Sequence, residues 1–125
     1  MLEVRRRLQS LYRALIVAEQ LTYERIHGPV DSTDELAQLV SSDPWFAWLL
    51  PLSDLLLRID QFLNDDAFDI TPEIVAHLVT EVCTLTRPSV EGDGFERAYY
   101  EAQNRAPEVV LAHFRVTRAL RGEAA

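Results

Sequence analysis

Apolar residues recur along most of this chain at alternating steps of four and three, the spacing that aligns one face of an α-helix. Val4, Leu8, Leu11, Leu15, Ala18 and Thr22 form the first such stripe and predict one helix over residues 2–27, stopped by Gly28-Pro29. His27 falls in its last turn, where a cation complements the helix dipole. In "DSTDEL", Ser32 with Glu35 three residues on makes a capping box and predicts a short helix over 33–40. Asp43 then caps a further helix, with Pro44 at its first position. There Trp45, Leu49, Leu52, Leu56, Ile59 and Leu63 share one stripe, and Trp48, Leu55 and Phe62 lie beside it. Asp54, Arg58 and Gln61 are its only clear polar strip, and Asp54 and Arg58 stand in the order that favours an i, i+4 ion pair. Pro51 lacks an N–H and should kink this helix.

"NDDAFD", residues 64–69, reads as a loop. Thr71 caps the next helix, Pro72 takes its first position, and Ile70 is placed to staple onto Val75. That helix should run to about Leu85 and end before Pro88. After the loop "RPSVEGDG", the residues Phe95, Tyr99, Ala102, Ala106, Val109, His113, Val116 and Leu120 keep helical phase across Pro107. They predict one long kinked helix from about Asp93 to Arg121, with a break at Pro107 as the alternative. The expectation is one all-α domain over residues 1–125. It should be an antiparallel four-helix-type bundle with one short extra helix and a Pro-kinked C-terminal helix, the first and last helices side by side.

A chain of 125 residues is long enough to bury a substantial core. Four glycines are few for an all-β fold rich in tight turns. Cys83 is the single cysteine, so no intrachain disulfide forms; it reads as a small buried hydrophobe in a reducing, cytoplasmic setting. Arg5, Arg6 and Arg7 precede "LQSLYRALIVAEQL", but Gln9, Ser10 and Arg13 interrupt it, unlike a secretory signal. The apolar run from Trp45 to Leu52 falls far short of the roughly 20 residues a bilayer span needs, and no membrane partner is expected. The net charge of −8 is uneven: residues 31–101 carry −12, while residues 1–30 and 102–125 carry +2 each. Such an acidic body with a mildly basic edge repels phosphates and argues against nucleic-acid binding. The chain has no lysine, which excludes lysine Schiff-base chemistry.

"DPWFAWLLPLSDLLLRID", residues 43–60, holds both tryptophans and is the densest apolar stretch. It resembles a segment of short bacterial all-helical proteins with no assigned function, in which D-P-aromatic-F-A-W-L-x-P-L-S precedes Ile-Asp. The resemblance covers about a fifth of the chain, contains no catalytic motif and implies only a bacterial origin and a helical segment.

Readable chemistry is sparse. Glu73, His77 and Glu81 share a helix face, but Thr80 and Thr84 share it too, and Ile74, Val75, Leu78, Val82 and Leu85 take the other side; this is a solvated face before it is a metal site. Glu24-Arg25-Ile26-His27 matches the Glu-x-x-His of di-iron bundles once, where two copies are needed. There is no HExxH, CxxC, Gly-rich phosphate loop or DxDxDG loop, so no catalytic residue, metal or cofactor is assigned. Tyr99, Tyr100, Phe95 and Gln103 could line a pocket, with core packing the default. His113 sits in an apolar seam, where Glu19 and Tyr12 of the first helix are the expected partners of a buried Glu/His/Tyr cluster.

The leading expectation is a non-enzymatic helical module acting through protein–protein contact, homodimeric, with Phe46, Leu50 and Leu57 in or beside the contact. The rival for that side of the segment is cover by the short helix 33–40. The alternative function is a small-ligand- or metal-binding bundle using Tyr12, Glu19 and His113, and a third is an acidic imitation of nucleic acid, against which the basic edge counts.

Overall fold

A computed structural model describes residues 1–64, 70–92 and 94–124, with side chains to residue 122, so most of the expected loop 64–69 lies outside the described residues. The described residues are all-helical: α1 (Leu2–His27), α2 (Thr33–Ser42), a 3₁₀ segment (Pro44–Leu49), α3 (Leu50–Asn64), α4 (Pro72–Leu85), α5 (Gly94–Arg105) and α6 (Pro107–Ala124). None of these helices is long and apolar enough to cross a membrane.

The ends follow from local chemistry. Gly28 closes α1 at φ 90°, a backbone conformation that costs an L side chain energy, and its N–H reaches the Glu24 carbonyl. Ser32 Oγ accepts from the Glu35 N–H at 3.0 Å, and Glu35 returns the bond to the Asp31 N–H rather than to Ser32. Thr71 caps α4 through the Ile74 N–H at 3.2 Å, with Pro72 at the first position.

Two proline expectations are corrected. Pro51 does not kink a continuous helix: Asp43 caps a 3₁₀ segment, and the chain passes to α geometry at Leu50, so Pro51 sits in the first turn of α3, where a missing N–H is harmless. Pro107 does not sit inside one long helix. The chain breaks at Ala106, whose carbonyl accepts from Val109 and Val110, and Pro107 opens α6. Burial keeps its phase through the break, because Tyr99, Ala102, Val109, Val116 and Leu120 are all buried.

The core gathers Val4, Leu8, Leu11 and Leu15 of α1, Leu52, Leu55 and Ile59 of α3, Leu78 and Val82 of α4, and the buried residues of α5 and α6. α1 packs along α6, as expected for the first and last helices. Arg7 donates to the Arg115 carbonyl at 3.1 Å, and Arg105, the last residue of α5 and two before α6, donates to Glu19 at 2.6 Å, so α1 and α6 run in opposed directions. α1 also packs on α3, with Arg5 bonded to Asp60 near the far end of α3 and Tyr23 against Phe46 of the 3₁₀ segment that leads into it. α2 covers the 3₁₀ segment with Leu36, Leu39 and Val40. Arg58 binds Glu81 of α4 at 2.8 Å in place of the expected Asp54 pair.

Candidate functional site

In a 3₁₀ helix residues i and i+3 eclipse, so Phe46 and Leu49 point the same way. Both are buried, Phe46 to 1% exposure, with its ring against Tyr23 of α1. Phe46, expected with Leu50 and Leu57 in or beside a contact, is thus part of the core of the single chain. Trp45 and Trp48 share the next 3₁₀ face and are half-buried; Trp45 stacks edge-on to Tyr23 and His27, and Trp48 lies on Phe95.

Leu50 and Leu57 stand two turns apart on α3 and remain 59% and 58% exposed. They sit on the side of α3 away from its buried Leu52, Leu55, Leu56 and Ile59. Leu50 and Ser53 line a cleft of about 480 Å³ with Tyr12 of α1, whose other walls include Val40, Phe46 and Leu49. Asp60, three residues past Leu57, reaches Arg5 of α1. The cleft thus joins Phe46, Leu50 and Tyr12, and α2 covers the neighbouring 3₁₀ segment without covering Leu50 or Leu57.

The back of α1 continues this surface towards α6. Tyr12 turns to the α3 cleft, while its neighbour Arg13 lines a second cleft with Val17, Leu21, Ala106 and Glu108. Val17 and Leu21 are more than half exposed, as are Leu111 and Phe114 on α6, and Arg13, Arg115 and Arg118 are exposed among them. Periodicity finds core stripes and so passes over these four apolar residues; the signal was their place off the stripe, with Val17 and Leu21 four apart.

The expected Tyr12–Glu19–His113 cluster does not form. Glu19 is buried against α5, where Arg105 satisfies it. His113 lies eight residues beyond Arg105, more than two helical turns, so the opposed register carries it past Glu19. Its Nδ1 instead meets the Tyr99 hydroxyl at 2.7 Å. Burial pushes the Tyr99 hydroxyl far above its ordinary range, and desolvation lowers the His113 imidazole. With the Tyr99 hydroxyl as donor to Nδ1, a neutral His113 ring carries its proton on Nε2. Tyr99 is fully buried, and Phe95, Tyr100 and Gln103 are half-buried, so packing accounts for that aromatic set.

His77 is exposed and 3.4 Å from Glu81, and Glu73 is exposed, so the polar face of α4 is turned to solvent. His27, of the single Glu-x-x-His, stacks on Tyr23. No group of three or more metal-binding side chains occurs among the described residues. Cys83, expected in the core, is exposed: it falls beside the narrow buried stripe of Leu78 and Val82. In comparisons with known proteins, no family model, no curated protein and no solved structure matches this chain.

Proposed function

We propose that this chain is a non-enzymatic helical module acting through protein–protein contact, and that its partner is a second copy of itself in a homodimer. α1, α3, α4 and α6 are read as an antiparallel four-helix-type bundle, a reading supported by the opposed directions of α1 and α6 and of α1 and α3. The observation that carries the reading is the exposure of Leu50 and Leu57, two turns apart on one side of α3, with Leu50 in the wall of an apolar cleft against α1.

Charge selects the arrangement. Two α3 faces set against each other would oppose Asp54 to Asp54 within an acidic region. A two-fold axis over the exposed back of α1 instead sets the acidic α3 of one copy beside the basic α6 of the other, twice. Leu50 and Leu57 then meet the level of Leu111, Arg115 and Arg118. A standard interface of about 800 Å² per partner takes roughly a tenth of the 7898 Å² surface, within reach of three adjacent helices.

Leu50→Arg and Leu57→Arg, which would set like charges against the level of Arg115 and Arg118, test it by light scattering and circular dichroism. Each substituted site is exposed in the single chain, so the variants should stay helical and run as 14.3 kDa monomers. Variants that keep the native oligomeric mass would remove the α3 face from the contact.

A further inference from the structure

We propose that the cleft between the end of α4 and the C-terminal half of α6 binds a small amphipathic anion, a carboxylate carrying a short apolar chain. The site is separate from the self-association face and stands without it.

The cleft has a volume of about 390 Å³, within the range of small-ligand sites. Val79, Pro88 and Leu120 supply an apolar wall. Arg87, in the loop just after α4, and Arg121 of α6 line it, both exposed, and neither pairs with a carboxylate among the described residues. The other two arginines of the acidic region are spoken for: Arg58 binds Glu81 and Arg97 binds Glu101. In a chain with 20 acids against 12 arginines, this cleft is lined by two guanidiniums unpaired among the described residues and by no described carboxylate.

His113 also lines this wall, its Nδ1 held 2.7 Å from the Tyr99 hydroxyl; with Tyr99 as the donor, the neutral ring carries its N–H on Nε2. Apolar wall, two guanidiniums and a donor imidazole match a carboxylate head on a hydrocarbon tail better than a bare inorganic anion or a neutral alcohol.

Cys83 lines the same cleft and is the only cysteine, so it reports occupancy. The intact protein is alkylated with iodoacetamide in the presence of octanoate, octanol or inorganic phosphate, while NMR follows the His113 ring. Octanoate should protect Cys83 saturably and shift the His113 signals. Arg87→Gln/Arg121→Gln should weaken protection by about tenfold or more, the scale of a lost charged hydrogen bond. Arg25→Gln, on exposed α1 surface, should leave it unchanged. No saturable protection, protection indifferent to the double substitution, or equal protection by octanol or phosphate would each overturn the proposal.

Discussion

His113 and His77 occupy opposite kinds of position at the residue scale. His113 is half-buried and bonded to a fully buried tyrosine, whereas the His77 side chain is 72% exposed. His113→Ala strands the Tyr99 hydroxyl and should cost about 1–3 kcal/mol. His77→Ala should cost under about 0.5 kcal/mol. Equal urea midpoints would contradict this assignment of faces. Tyr99 also sets an alkaline limit. Its folded-state pKa is raised above the ordinary value of 10, so its contribution is fully present below about pH 10 and is lost as pH rises beyond it, when unfolded chains lose a proton that folded ones keep. Tyr99→Phe should therefore lose less stability than the native chain between about pH 8 and pH 11; equal losses would reject the buried-hydroxyl account. The seam position of His113 was legible from its spacing with Val109 and Val116. Its partner was not, because partnership depends on the register of opposed helices, and no local pattern carries that register.

Elements divide according to whether a local rule or a competing geometry governs them. The limits of α1, the cap at Ser32 and the cap at Thr71 were readable because each end is set by residues within one turn of it. The 3₁₀ segment was not, because "PWFAWL" suits either helix type, and only its packing under α2 and against α1 selects three residues per turn. That change of period sets Phe46 in the core, apart from the exposed Leu50 and Leu57 with which α-helical spacing groups it. The break at Ala106 was obscured for the opposite reason: the apolar phase runs straight through it. Since Pro107 opens α6 instead of interrupting a helix, Pro107→Ala restores no lost hydrogen bond. It should be neutral or destabilise by up to about 1 kcal/mol through a more flexible unfolded chain. A clear rise in melting temperature would instead favour the continuous helix.

The whole molecule combines an acidic middle with basic ends, and the fold lays the basic ends together along α1 and α6. Charge segregation was legible by counting; its geometry needed the pairing of the first and last helices. The surface so built has exposed leucines on an acidic flank and exposed apolar residues among arginines on a basic flank. Complementary flanks attract most at low ionic strength, where the Debye length is long. The most direct test is the mass of the native chain by light scattering at high micromolar concentration, in low and in high salt. The account predicts a particle of twice the 14.3 kDa chain mass in low salt, with dissociation favoured as salt rises. A 14.3 kDa particle in low salt at that concentration would contradict it, and the segment 43–60 would then serve the core alone.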